Sequence, residues 1–344
     1  MKTSEYEILL IGDLHYDNAD LHPGPLSEVT RRELARNLAV WQEAAPALLE
    51  QAGKTARGRV DFTIQLGDFV QGDFEREDLH RRGQREILDL MRAKLPAPLY
   101  LVKGNHDIRG EGAQEAFDKD IVPYLEAAAG QPMAVPGCAD YAIRKGRDLF
   151  LFCDGPGHAP ARYAWMEKTV ESVPDLRHLF IVCHYPAVLC DSDIPWCLLM
   201  GDLNALDLQK KTLTLLTRHN AIVLCAHTHT MRQVYYTEPG TPGRITQIAL
   251  FSMPMPGDTE LSERVITVDE YLAQDYVKRV IAGKYHPVFE PFFGRMSDIT
   301  EYRPRAGFFF LRVEADGAVK LVCHGNGSPA PQRTIVLAEA GQRS

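Results

Sequence analysis

Five short groups of residues in this sequence have the types and spacing to hold metal ions. They are Asp13-Leu14-His15, Gly67-Asp68, Gly104-Asn105-His106-Asp107, His184 and His227-Thr228-His229. Aspartate offers a hard anionic oxygen, asparagine a neutral carbonyl oxygen and histidine a borderline nitrogen. A mixed oxygen and nitrogen set suits manganese, iron or zinc. Asp13 and His15 are alternate residues, and so are His227 and His229, so an extended chain points each pair to one side. Asp68 brings a carboxylate, whose two oxygens can bridge two cations.

Each group begins where an apolar run ends. Tyr6–Ile11, Val60–Leu66, Pro98–Val102, His178–Cys183 and Ala221–Cys225 read as buried strands, and Leu149–Cys153 as one more. Between them the spacing predicts helices over Ser27–Gln51 (Ser27 as N-cap), Gly83–Leu95, Ala161–Val173 and Leu206–Arg218. This alternation makes the fold class α/β. In open α/β sheets ligands bind beyond the carboxyl ends of the strands, where these five groups fall. After Thr230 the pattern turns β-rich, with strands expected at Arg232–Tyr236, Arg244–Leu250, Gly307–Val313 and Val319–Val322 and a helix at Val268–Ile281. We read 1–337 as a single domain. Within it, 232–337 is a β-rich C-terminal portion containing an insertion or lid at 253–304, and 338–344 is a tail.

With 344 residues, 45% of them hydrophobic, the chain can bury a large core. Its net charge of −8 argues against a binder of nucleic-acid polymers, which would carry a basic stripe. The seven cysteines are widely spaced with no CxxC pair, and Cys153, Cys183, Cys225 and Cys323 read as reduced core residues. Neither a signal-peptide pattern nor an apolar stretch approaching ~20 residues is visible, so the expectation is a cytoplasmic protein with no membrane partner.

The order and content of the five groups resemble the calcineurin-like metallophosphoesterase family, whose motifs run D-x-H, G-D, G-N-H-D/E, a lone H, and G-H-x-H. The resemblance spans residues 13 to 229 and departs at one place, where Ala226 stands for the glycine before H-x-H. It implies a four-layer α/β/β/α sandwich of two mixed sheets flanked by helices. It also implies a dinuclear centre: Asp13, His15 and His229 on one metal, Asn105, His184 and His227 on the other, and Asp68 bridging. His106 would face the scissile phosphate without ligating, and Asp107 would hold His106 in position. Two adjacent ions clamp an in-line displacement at phosphorus, and a bridging hydroxide would attack without a protein nucleophile. Monoesters, diesters, nucleotide pyrophosphates and phosphoproteins are all cut by this core; the partner expected here is a small phosphate-ester substrate.

Other readings remain open. The chain could be a phosphomonoesterase or protein phosphatase, a metal-free scaffold on the same fold, or an unrelated metal hydrolase. Asp107 in place of the glutamate usual in phosphoprotein phosphatases tilts the expectation toward a small phosphodiester or nucleotide. Asp17 reads as a loop residue, Tyr185 as a packed ring, and Arg109 as either a phosphate contact or a surface ion pair. Substrate walls are expected from Asp17–Pro25, Gly110–Gly130, Cys190–Asn204 and Met253–Pro304.

Overall fold

The computed structural model describes residues 5–155, 159–188, 198, 206–253, 262–273, 294–297, 299–303, 306–328 and 330–341. Strand β1 (Tyr6–Ile11) is followed by α1 (Glu28–Gln42), α2 (Ala44–Ala56), β2 (Phe62–Gln65), α3 (Glu77–Lys94), β3 (Leu99–Leu101) and α4 (Ala113–Ala129). Then come β4 (Tyr141–Lys145), β5 (Asp148–Cys153), α5 (Ala159–Glu171), β6 (His178–Cys183), α6 (Leu206–Arg218) and β7 (Ile222–Cys225). The later part gives β8 (Met231–Tyr236), β9 (Ile245–Ala249), β10 (Ser262–Ile266), α7 (Val268–Ala273), β11 (Ile299–Arg303), β12 (Gly307–Val313), β13 (Val319–Gly325) and β14 (Arg333–Ala338).

One sheet has the order β14-β13-β12-β1-β2-β3, the other β10-β11-β8-β9-β7-β6-β5-β4. Both are mixed. β1, β2 and β3 run parallel, as do β5, β6, β7 and β9, with antiparallel strands at the flanks. The period-two alternation of a strand explains the layering. Phe150, Phe152, Phe180, Val182, Ile222 and Leu224 join one continuous core with β1–β3 and, on the far side of that sheet, the inner faces of α2 and α3. Their neighbours Leu149, Leu151, Leu179, Ile181 and Val223 form a second core with Met166 and Val170 of α5 and Leu213 and Leu216 of α6. The result is the expected four-layer sandwich. The sheets meet through rings: Phe62 lies edge-on to Phe150 of the facing sheet at 5.5 Å, and Phe150 is backed within its own sheet by Phe180, stacked at 4.4 Å. The β-rich later part serves both sheets, with β8–β11 in one and β12–β14 in the other. Cys153, Cys183, Cys225 and Cys323 are buried thiols. No helix of the described residues is long and apolar enough to cross a membrane.

Two expectations change. The helix expected over Ser27–Gln51 is two, breaking at Glu43, whose φ is −138°. Pro46 is the cause: inside one continuous helix its ring would collide with the carbonyl four residues back, whereas in the first turn of α2 it is tolerated. Ser27 does cap α1, accepting from the Thr30 N–H at 3.1 Å. Gly110–Gly130, expected as a loop wall, contains the helix α4, bounded by Gly112 and Gly130 and tolerating an internal Pro123. Of the helix expected over Val268–Ile281, Val268–Ala273 form α7, and residues 274–281 lie outside the described residues.

Opposite the strand ends that carry the motifs, one buried carboxylate ties the sheets together. Asp148, at the start of β5, accepts from Tyr6 Oη of β1 at 2.7 Å, from Arg177 Nε at 2.9 Å and from His178 Nδ1 at 2.9 Å. Burial would raise its pKa, but the bonds from Arg177, His178 and Tyr6 outweigh that and hold it at about 2. A depressed carboxyl stabilises the fold above its unfolded pKa and loses that contribution as pH falls through the folded value. Asp148→Asn is therefore expected to cost at least about 2 kcal/mol at pH 7. The gap to wild type in urea unfolding should close as pH falls from about 4 to 2.

Candidate metal centre

The parallel strands of both sheets end at one rim. β1 delivers Asp13 and His15, β2 delivers Asp68, and β3 delivers Asn105 and His106. From the facing sheet, β6 delivers His184 and β7 delivers His227 and His229. All seven expected ligands are brought to this rim. Ligand atoms of Asp13, His15 and His229 lie within 4.8 Å of one another, as do those of Asp68, His184 and His227. His15, Asp68 and His106 form a third such group.

The contacts among these atoms outnumber the protons available to make them ordinary hydrogen bonds. His184 Nδ1–H donates to the Leu66 carbonyl at 2.9 Å, which leaves Nε2 with its lone pair when the ring is neutral. That nitrogen faces Asn105 Oδ1 at 3.1 Å, Asp68 Oδ2 at 3.1 Å and His227 Nδ1 at 3.2 Å. His15 Nε2 lies 2.9 Å from His229 Nε2, and Asp13 Oδ2 lies 3.7 Å from the latter. One proton can satisfy one such contact; a cation satisfies all of them. Asp13 Oδ2, His15 Nδ1 and His227 Nε2 are buried without a hydrogen-bond partner. Asp13, Asp68 and Asp107 are all at most 1% exposed, and three carboxylates in one buried cluster need compensating positive charge. Donor set and charge therefore fit two cations.

Ionisation points the same way. Burial, with neighbouring histidine charges, lowers the pKa of His15 and His227 and brings His229 to about 4, so these rings are neutral at pH 7, the ligating form. Burial, with the Asp68 charge adding to it, raises Asp13 and pushes Asp107 to about 7. His184 is different. Burial works against its charge, but the Asp68 and Asp13 carboxylates prevail and raise it to about 9.

Backbone strain aims the ligands. His15, Asp68, His227 and His229 have φ of 45°, 51°, 70° and 50°, a region costly for non-glycine residues at about 1–3 kcal/mol each. His227 sits at the centre of a γ-turn with positive φ, closed by Thr228 N–H to the Ala226 carbonyl at 2.8 Å. Ala226 itself has no positive φ, which is why alanine can replace the family's glycine there. Gly67 cannot be replaced so simply. Its φ is +89°, and a Cβ there would lie 2.7 Å from His184 Nδ1.

Around the centre, Asp107 has work other than the one expected. Its carboxylate accepts from the backbone N–H of Asp68 at 2.9 Å, Gly104 at 2.7 Å and Val70 at 3.2 Å, binding the β2 and β3 loops together. His106 is held instead by the Gln71 carbonyl, which accepts from Nδ1 at 2.7 Å, while its own N–H donates to Asp68 Oδ1 at 2.8 Å. Arg109 pairs with Asp73 at 2.7 Å and Glu33 at 3.5 Å, an ion pair in place of a phosphate contact. Asp17 is buried and bonds His22 and Asn37. Tyr185 is a packed ring, 4.6 Å from His227. A cavity of about 170 Å³ is lined by Lys103, Gly104, Gln114, Cys138, Asp154 and Tyr185 among others; Gly104 and Tyr185 adjoin Asn105 and His184 in the chain, and none of the seven candidate ligands lines it. The wall expected from Cys190–Asn204 lies outside the described residues except for Leu198.

Fold and site together define an α/β/β/α metallohydrolase. Residues 6–231 match the calcineurin-like phosphoesterase family, and the chain belongs to that family. It is a metal-dependent phosphoric ester hydrolase, in a family that uses a dinuclear metal centre. The fold is similar to that of a dimetal phosphatase from Danio rerio, with a TM-score of 0.54 and 14% identity over 97% of this chain and 99% of that one. It is also similar to PhoD, with a TM-score of 0.51 and 10% identity over 98% of this chain and 69% of that one. No curated protein sequence compared with it matches.

The raised pKa of His184 gives a direct test. In metal-free protein at pH 7 the ring is charged, and a metal must displace its proton. Calorimetric titration of metal in buffers of differing ionisation heat should show proton release at pH 7, with affinity rising toward pH 9 and flattening above it. Metal binding without proton release at pH 7 would contradict the assignment.

Proposed function

We propose that Asp13, His15 and His229 hold one metal ion and Asn105, His184 and His227 a second, with Asp68 bridging, and that the centre cleaves small phosphodiesters or nucleotide-type esters. The observation that carries this reading is the lone-pair convergence around His184 Nε2. The mixed donors leave manganese, iron and zinc as candidates. When bound, two such ions supply Lewis acidity and a water acidified to near neutrality.

The chain's own residues do the rest. His106 is the proton donor to the leaving oxygen. Its Nδ1–H is fixed on the Gln71 carbonyl, so Nε2 is the nitrogen left to hold and deliver the proton. Asp107 acts one step back, locking the loops that carry Asp68 and Asn105. Its three backbone contacts explain aspartate at this position by loop geometry, so Asp107 no longer argues for a small substrate. That preference rests instead on the cavity beside the centre, whose size suits a small leaving group better than a protein surface.

With manganese loaded, turnover of a diester or nucleotide substrate should exceed that of a simple monoester. Asp68→Asn should lose at least about a hundredfold in kcat. His106→Asn should lose about 10²–10⁴-fold in kcat while elemental analysis finds its metal content unchanged. Turnover that survives Asp68→Asn or exhaustive chelation would rule out the proposed centre.

A further inference from the structure

Helix α1, inserted between β1 and β2, lays one face along the centre. Glu33, Arg36, Asn37, Val40 and Trp41 follow the i, i+3, i+4, i+7, i+8 spacing of a single stripe. Four of the five touch the walls of the site. Glu33 accepts from the Gln71 side chain at 3.2 Å, and the Gln71 carbonyl holds His106. Asn37 donates to Asp17 Oδ2 at 3.1 Å, two residues past His15. Val40 packs against the cluster of Phe251, whose ring stacks on His229 at 4.9 Å. Trp41 Nε1 donates to the Leu14 and His15 carbonyls at 3.1 and 3.2 Å. The stripe thus runs from the His106 side of the mouth to the His229 side, and Arg36 is in its middle.

Arg36 is exposed, and its guanidinium bonds Asn37 Oδ1 at 3.3 Å with no carboxylate partner among the described residues. Glu33, the acid one turn earlier, is spent on Gln71 and Arg109. The neighbouring cations are engaged too: Arg109 with Asp73 and Glu33, and Lys103 with Asp154 at 2.7 Å.

We propose that Arg36 is a substrate-binding residue whose guanidinium takes phosphate oxygens of the ester at the mouth of the centre. A planar fork of donors matches phosphate oxygens two at a time, which an ammonium does not. The proposal rests on the reading of the centre as a phosphoesterase. It assigns α1 a role in recognition in addition to packing.

The test uses the full, metal-loaded chain with Arg36→Gln and Arg36→Lys, since glutamine and lysine keep a good helix former at an exposed position. Binding of inorganic phosphate and of pyrophosphate is measured by calorimetry, and KM and kcat on the best substrate. Arg36→Gln should weaken phosphate about ten- to a hundredfold, with the loss in KM larger than the loss in kcat, and Arg36→Lys should recover part of it. Added salt should weaken phosphate binding more in wild type than in Arg36→Gln. Loss of pyrophosphate binding alone would place Arg36 on a second, non-reacting phosphate and still support the assignment. Unchanged binding of both anions would overturn it. Asp68→Asn, assayed for turnover in the same series, tests the centre separately.

Discussion

Around His184 Nε2, Asn105 Oδ1, Asp68 Oδ2 and His227 Nδ1 gather within 3.2 Å in a largely buried cluster. Without cations the one proton on His184 Nε2 at pH 7 can serve only one of these contacts, and the remaining polar atoms have given up hydration for little in return. Much else follows from keeping these atoms together. The two sheets must pack so that strands β1, β2 and β3 end where β6 and β7 end. The aromatic seam of Phe62, Phe150 and Phe180 and the Asp148 clamp at the far end fix that alignment. The positive φ angles at His15, Asp68, His227 and His229 turn the ligands back on one another, and Asp107 binds the loops that carry two of them. Stability is spent locally to hold a geometry ready for cations.

The division of labour among the carboxylates is set by their hydrogen bonds. Asp107 meets three backbone amides and is a loop clasp. Asp17 meets His22 and Asn37 and fastens α1 to the segment leaving β1. Asp13 keeps Oδ2 buried without a hydrogen-bond partner, which leaves that oxygen free for the proposed metal. Residues of one chemical type thus separate by which partners they already have.

The residues that meet at the rim were legible in the sequence because each follows a short apolar run, and period-two burial makes such runs easy to read. The four-layer order came from the family resemblance, and the alternation of Phe150, Phe152 and Phe180 with Leu149, Leu151 and Leu179 bears it out. What was not legible has physical reasons. Pro46 splits one apparent helix into two, and Pro123 masks α4, although Ala113, Ala116, Phe117, Ile121 and Leu125 keep a helical spacing. The edge strand β10 is exposed along most of its length and carries no burial signal. Gln71 holds His106 through a backbone carbonyl, which leaves no trace in residue type. Arg36 stands out only once α1 is known to lie across the mouth.

The most direct test of the account is anomalous X-ray scattering from crystals of the manganese-loaded protein. The account predicts two peaks about 3.5–4 Å apart. One should lie among Asp13, His15 and His229, the other among Asn105, His184 and His227, with Asp68 between them and His106 ligating neither. A single peak, or an ion held by His106, would contradict it.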